Sequence, residues 1–499
     1  MSKTSKKQIV VGYHPIANRI GEKILNSGGN AFDAFVATTA AECVLGEGVT
    51  SLAGPLGAFL YGSKSKKCYY LDAGFNTPLN IGKKDKIGAR VPGAPAGLEA
   101  ISKKFGKLPF HKVLEPAIQL ARNGFKLNNL YADLIFFNKE KLKKSQYGKQ
   151  KFFQNNKPLA KGKILKFPEV AVVLESLAKK GSKYMYEGEW AKKVVKEVQK
   201  KGGILTMKDF SQYEIKWRNP IKINYRDYKI YSTSGRTFGG LAVCLALKAL
   251  ENLDISSFKN HYSNDATALE ILIRINNEAE KVVNNFKPKE LDNNFLIQKL
   301  INKKAHEILE KVQKEIKINK SVHGNHSYQV SIIDKEGNAI TGTNSIQSLP
   351  WGEGIFVEGI PLTASGIVTP FSTNSGEREL SALSMHMGMK SSKVAFISGA
   401  FGSSLIPAEF QFLVNIIDYK LSAKKATTLP RFGTTAWEMK NKKYIQKGIW
   451  LDTRIKKSII NTLNKRGLKF EQEGWVDTGF GSIILVKPDG SVEGSIAPV

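Results

Sequence analysis

Ser327 stands where a glycine-containing stretch, Ser-Val-His-Gly-Asn-His-Ser over 321–327, gives way to the apolar run 328–334. A hydroxyl at the head of a buried strand is a candidate nucleophile, exposed if the chain is cut between His326 and Ser327. The freed α-amine could then take the hydroxyl proton, directly or through water, and no separate triad would be needed. An ordinary loop serine carries the same local signature. The second candidate is Gly399-Ala400-Phe401-Gly402-Ser403-Ser404, between a strand and a helix. Small residues there let backbone N–H groups point at a ligand near a helix start, which suits an oxyanion hole. A tight turn would look the same. A phosphate-binding loop is excluded, because the required lysine-serine/threonine ending is missing. His111, His261, His323, His326 and His386 show no metal spacing and no paired carboxylate motif, so each reads as a surface or core histidine. His323 and His326 lie close upstream of the bond in question and could tune its reactivity. No metal and no cofactor is expected.

The elements that must position these residues follow from pattern and punctuation. Apolar periodicity predicts a helix over 16–27, with Pro15 before it and Gly28-Gly29 after it, and an alanine-rich helix over 31–45. Strands are expected over 58–61 and 68–71, then two helical stretches within 94–118 split at Phe105-Gly106-Lys107-Leu108-Pro109. Residues 139–165 are polar and lysine-rich, which predicts an exposed excursion. Helices return over 170–180 and 189–200, and 254–320 is the most helical part. The apolar run 328–334, the turn Lys335-Glu336-Gly337-Asn338 and the run 339–345 read as a hairpin. Strands over 394–398 and 482–486 flank a helix over 407–419. Helices outside and antiparallel strands inside suggest a layered protein of both kinds of structure. No internal repeat is visible.

Composition narrows the class. A chain of 499 residues, 42% hydrophobic, can bury a large core. The formal net charge of +31 comes mostly from lysine, concentrated at 64–67, 139–163 and 303–320. Such a field attracts polyanions and acidic substrates. Without zinc-finger spacing, an aromatic RNA-binding signature or a basic region joined to heptads, it reads as a solvated surface and not as a specific nucleic-acid interface. Binding through charge alone would be steeply salt-dependent and indifferent to sequence. Cys43, Cys68 and Cys244 are too few and scattered for a disulfide framework or a metal knuckle. The start, MSKTSKKQIVVGY, is basic but lacks the apolar stretch and cleavage site of a signal peptide. No run is long enough to span a bilayer. A cytoplasmic location, with no membrane contact, is the resulting expectation.

Five ordered blocks resemble the gamma-glutamyltranspeptidase family along nearly the whole chain. HPIANRIGEKILNSGGNAFDAFVA looks like that family's helix, paired glycine and Asn-Ala-x-Asp-Ala signature. VPGAPAGLEAISKKFGKLPF followed by LEPAIQLARNGF is similar to its Pro-Gly turn and Pro-Ala-x-x-Leu-Ala-x-x-Gly helix. GGILTMKDFSQYEIKWRNPI is similar to a third block, and TSGRTFGG occupies the place of a Ser-Ser-Gly-Gly turn. SYQVSIIDKEGNAI matches the strand that carries the family's catalytic threonine.

The resemblance implies an α+β fold, the four-layer αββα sandwich of N-terminal nucleophile hydrolases, made as a precursor that cuts itself. Counting back from Ser331-Ile332-Ile333-Asp334, the family's nucleophile falls on Ser327, with cleavage between His326 and Ser327. That divides the chain into a large-subunit region, 1–326, and a small-subunit region, 327–499, together one αββα unit. Ser345 falls on a second hydroxyl that orients the nucleophile, and Gly402 and Ser403 on the pair whose N–H groups form the oxyanion hole. Departures concern the substrate. The family's arginine for the glutamyl α-carboxylate should follow 72–78, but Leu79-Asn80-Ile81-Gly82 stands there. The acidic pair for the α-amine should follow 359–362, where Thr363-Ala364-Ser365-Gly366-Ile367-Val368 stands instead. The serine pair that contacts the carboxylate is reduced to Ser381-Ala382. A bidentate arginine is a strong, directional carboxylate contact, so its loss makes glutathione a doubtful substrate.

The leading expectation is therefore a self-processing amidohydrolase or acyltransferase acting on a small-molecule amide or peptide, γ-glutamyl or otherwise acylated. The rival is a catalytically silent member of the family that keeps the fold as a binding or structural protein.

Overall fold

The computed structural model describes all residues except 1, 6, 47, 82–84, 315–326, 369–373, 403, 441–442, 471–478 and 498–499. Two antiparallel sheets carry the architecture. In chain order their strands are β1 (Ser2–Ser5), β2 (Ile9–Gly12), β3 (Leu56–Gly62), β4 (Lys67–Ala73), β5 (Lys216–Arg218), β6 (Ile221–Tyr225) and β7 (Tyr228–Ser232). The later ones are β8 (Ser327–Ile333), β9 (Ala339–Ser345), β10 (Ser384–Lys390), β11 (Lys393–Phe401), β12 (Phe480–Val486) and β13 (Val492–Ile496). One sheet has six strands in the order β2-β8-β9-β3-β4-β5, and the other has seven in the order β1-β13-β12-β11-β10-β7-β6. Both sheets mix strands from the two sides of position 327. The β8–β9 hairpin in particular is flanked by strands from the first part of the chain.

The side-chain period of two explains the layering. In β8, Val330 and Ile332 face a core built with helices, while Ile333 lies in the apolar layer between the sheets with Ile9, Val11, Met385, Met387, Ile397 and Ile484. Helices cover both outer faces. Over the six-stranded sheet lie α1 (Pro15–Asn26), α2 (Ala31–Leu45), α3 (Ala94–Phe105), α4 (Phe110–Asn123) and α5 (Pro168–Lys180). Over the other lie α6 (Gly239–Leu250), α7 (Ala266–Asn284), α8 (Asn294–Lys314) and α9 (Leu405–Ile417). This is the α+β, αββα arrangement.

Local signals set the helix ends. Asn30 caps α2 by accepting from the Phe32 and Asp33 amides, and Asp33 returns the bond to the Asn30 amide at 3.0 Å. Every residue of α2 is buried. Its many alanines let it pack closely on every side, and its polar residues Asp33, Thr38, Thr39 and Glu42 are buried with the rest. The hairpin, α2, and the two helices split at 105–109 lie where the sequence predicts them, within a few residues.

Residues 139–165 are largely exposed, as expected, but they are anchored and partly helical. They fold into two short helices, Lys139–Leu142 and Gln146–Phe152, with Leu142 and Phe152 fully buried. Phe152 packs against Trp351 with ring centroids 5.5 Å apart and against Phe356 at 6.0 Å. Two large apolar side chains anchor the segment while the lysine heads around them reach solvent. Strand β1 and the hairpin of Phe432–Lys440 with Lys443–Leu451 have no counterpart in the sequence reading.

His14 closes the N-terminus of α1, its Nδ1 accepting from the Ile16 amide at 3.2 Å. Burial, and then the nearby Arg19 charge, lower its pKa to about 4. The folded state thus binds this proton more weakly than the unfolded chain. The stability it contributes is complete above about pH 6.5 and lost as pH falls through the folded value. Between those limits we expect urea unfolding to lose up to about 3 kcal/mol more in the wild type than in His14→Asn, which keeps a cap without the titration. Parallel pH profiles for the two proteins would contradict this assignment.

Candidate active site

The β8–β9 register sets Ser327 directly opposite Ser345. Ser327 Oγ donates to Ser345 Oγ at 2.8 Å, and the Gln347 amide donates to the same Ser345 oxygen at 2.8 Å. Ser327 and Ser345 are almost fully buried. Next door, Asn344 ties the hairpin to the turn before β3, its Nδ2 donating to the Ser51 and Pro55 carbonyls at 3.2 and 3.0 Å. Gly54 in that turn lies so close that a Cβ would come within 2.0 Å of the Ser345 carbonyl oxygen. Only glycine fits there.

Between the sheets, below this pair, polar rungs replace the apolar layer. Gln329 Nε2 donates to Thr341 Oγ1 at 2.6 Å, and Thr343 Oγ1 donates to Gln329 Oε1 at 2.8 Å. Ser331 Oγ lies 2.8 Å from both Thr341 Oγ1 and Ser482 Oγ. The Gln329 amide fits under Gly399 of β11, where a Cβ would approach Nε2 to 2.1 Å. These contacts bring β11, and the turn after it, over β8. Tyr13 completes the connection. Its ring stacks on Tyr328 at 4.6 Å and meets Phe401 edge-on at 6.2 Å. Burial pushes the Tyr13 hydroxyl up to about 12, and raises Tyr328 well above its ordinary range, so both rings stay neutral.

Gly402 follows β11 with φ +95°, a left-handed conformation that glycine adopts without strain. It ends the strand and turns the chain into α9. Ser403, its expected companion, lies outside the described residues, as do His323 and His326 upstream of Ser327. Ser381 is half-buried. Its amide donates to the Arg236 carbonyl and its own carbonyl accepts from the Phe238 amide, both at 2.9 Å. Its neighbour Leu380 offers a carbonyl to Gln347 Nε2 at 3.4 Å, which ties this segment to the serine pair.

Two sets of charges flank the site, and sequence reasoning found neither. Asp72 is buried between Arg218 and Arg378, with Nε–carboxylate distances of 2.7 and 3.2 Å. Burial alone would raise its pKa, but the two guanidinium charges hold it below the usual carboxylate range. The other nitrogens of Arg378 donate to Tyr213 and to the Gly74 and Glu214 carbonyls. Glu379 and Arg90 form the second set, paired at 2.5 Å with both side chains largely buried. Ser365 Oγ donates to the other Glu379 oxygen at 3.0 Å. The segment where an acidic pair was expected thus meets a carboxylate from elsewhere, one already neutralised by arginine. Gln347, with φ +47°, is the further residue missed, and no sequence signal marks it. Among the described residues no group of three His, Cys, Asp or Glu side chains could hold a metal ion.

The family model for gamma-glutamyltranspeptidase matches residues 17–497. The chain is 28% identical to the glutathione hydrolase proenzyme of Escherichia coli (strain K12), across 99% of this chain and 90% of that one. It is 26% identical to the acylase ACY 1 proenzyme of Pseudomonas sp. (strain SE83), across 99% and 92% respectively. The crystal structure of cephalosporin acylase from Bacillus halodurans superposes with a TM-score of 0.86 over 100% of this chain and 95% of the other. At 22% identity that likeness is one of fold.

Proposed function

The chain belongs to the gamma-glutamyltranspeptidase family, and on that premise we propose that Ser327 is its nucleophile, freed when the chain cuts itself after His326. The enzyme is a self-processing amidohydrolase or acyltransferase of that family, and nothing in its relatives favours a silent role. The observation that carries the assignment of Ser327 is its hydroxyl, buried at the head of β8 and held at 2.8 Å by Ser345.

In processing, Ser327 Oγ attacks the carbonyl carbon of His326. The peptide C–N bond breaks, an ester forms, and the Ser327 nitrogen leaves as a free amine. Water then hydrolyses the ester, leaving 1–326 as a large subunit and 327–499 as a small one. The interleaving of strands from both parts in each sheet keeps the two together. In turnover, the α-amine takes the Ser327 hydroxyl proton as Oγ attacks the substrate amide. The Gly402 and Ser403 N–H groups receive the negative charge on the tetrahedral oxygen. The intermediate collapses, the proton passes to the departing amine, and water or an acceptor amine attacks the acyl ester. Water gives hydrolysis and an amine gives transfer.

For the acyl group, we propose one without the charged head of a γ-glutamyl substrate. Arg90 and Glu379 are paired with each other, and Arg378 is ion-paired with Asp72 and donates to Tyr213 and two carbonyls. Inserting a zwitterion would break a buried pair or leave new charges uncompensated, and either is costly.

Two experiments test this reading. Ser327→Ala should remain a single chain and lose at least about 1,000-fold in kcat, and Ser345→Ala should lose about 10–100-fold. Wild-type rates in Ser327→Ala would end the nucleophile assignment. Against a pair of anilides, a neutral acyl anilide should give a kcat/KM at least about tenfold above that of γ-glutamyl anilide. A preference for the glutamyl compound would show that the charged head is accommodated after all.

A further inference from the structure

Helix α9 is tied back to the sheet it leaves by a buried carboxylate. Glu409, on the second turn of α9, accepts a hydrogen bond at 2.5 Å from Ser398 Oγ of β11. His386 Nδ1 of β10 lies 3.0 Å from the same Glu409 Oε1 atom. His386 and Ser398 are cross-strand partners, and all three residues have 0% exposure. One oxygen therefore grips two adjacent strands at one rung. Along the chain, Ser398 and Glu409 bracket the end of β11, Gly402 and the first turn of α9. Their hydrogen bond closes that loop.

The cluster is an expensive way to hold a fold. Glu409 Oε2, His386 Nε2 and Ser384 Oγ have no hydrogen-bond partner among the described residues, although all are buried. A half-satisfied polar cluster is worse for stability than well-packed apolar residues of similar volume. What an apolar replacement could not supply is direction. A hydrogen bond fixes where the first turns of α9 sit relative to β11, and so how the turn between them is aimed.

We infer that Glu409, with Ser398 and His386, is a clamp that positions the Gly402 amide toward the reacting carbonyl. These are positioning residues, touching neither substrate nor Ser327. The inference rests on the reading of that turn as the oxyanion hole. Losing one oxyanion donor outright costs about 10²–10³-fold in kcat, and a misplacement near 1 Å costs about 10²-fold. Loosening the clamp falls at or below that range.

The test uses the full chain with Ser398→Ala, Glu409→Leu and Glu409→Gln, followed by self-cleavage rate, kcat, KM and melting temperature. Ser398→Ala and Glu409→Leu should lower kcat about 10–100-fold with KM within about threefold of wild type, and should slow self-cleavage in parallel. Glu409→Gln, whose amide oxygen still accepts from Ser398, should recover to within about fivefold of wild type. The melting temperature of Glu409→Leu should fall, because Ser398 Oγ and His386 Nδ1 are left buried without their acceptor; the loss confined to kcat and its recovery in Glu409→Gln are what a purely structural role does not give. If Glu409→Leu fails to fold, Ser398→Ala, which removes one oxygen atom, decides alone. A kcat within threefold of wild type in Ser398→Ala, or a loss confined to KM, overturns the clamp. Ser327→Ala run alongside separates the two ideas: if it is inactive while Ser398→Ala is unaffected, the nucleophile stands and the clamp falls.

Discussion

The pairing of β8 with β9 in the middle of the six-stranded sheet is the constraint on which the site depends. Because side chains alternate along a strand, register decides which face each one meets, and a slip of one residue would turn Ser327 toward the helices. The hairpin is held on both sides, by β2 along Val330–Ile333 and by β3 along β9 from Ala339 to Asn344. Asn344 and the close approach of Gly54 then lock its open end. With the register fixed, Ser327 and Ser345 are opposite each other without any further arrangement.

The space between the sheets has two characters. At one end it is filled by Ile333, Ala339, Val492 and Ile496, which are held by apolar burial alone. Toward the site it is crossed by Gln329, Ser331, Thr341, Thr343 and Ser482, each hydrogen-bonded to another. Each such bond nets only about 1 kcal/mol, yet leaving one unmade in this buried layer costs more. The network therefore penalises misalignment between β8 and β12 more than it adds to stability. Chemistry that needs a hydroxyl on one sheet and amides on the other benefits from that kind of alignment.

Much of this was legible because it is local. The hairpin follows from two apolar runs around Lys335-Glu336-Gly337-Asn338, and α2 from its alanine-rich run. The hydroxyls at 327 and 345, and the glycine at 402, are read from position within short blocks. The unread features depend on residues distant in sequence. Arg90 meets Glu379, and Asp72 meets Arg218 and Arg378, through folding that brings separate loops together. Gln347 owes its place to a left-handed backbone that no residue type announces. In residues 139–165 average polarity reads the exposure but hides the anchors Leu142 and Phe152, which decide where that segment sits.

A buried hydroxyl beside Ser345 becomes a nucleophile with its own base only if the peptide bond before it is broken, since an amide nitrogen cannot accept the proton. The account therefore turns on the state of one bond in the mature enzyme. N-terminal sequencing of purified, catalytically active protein should find a second chain whose first residue is Ser327, beside a chain ending at His326. A single uncut chain that still turns over amides at full rate would contradict it.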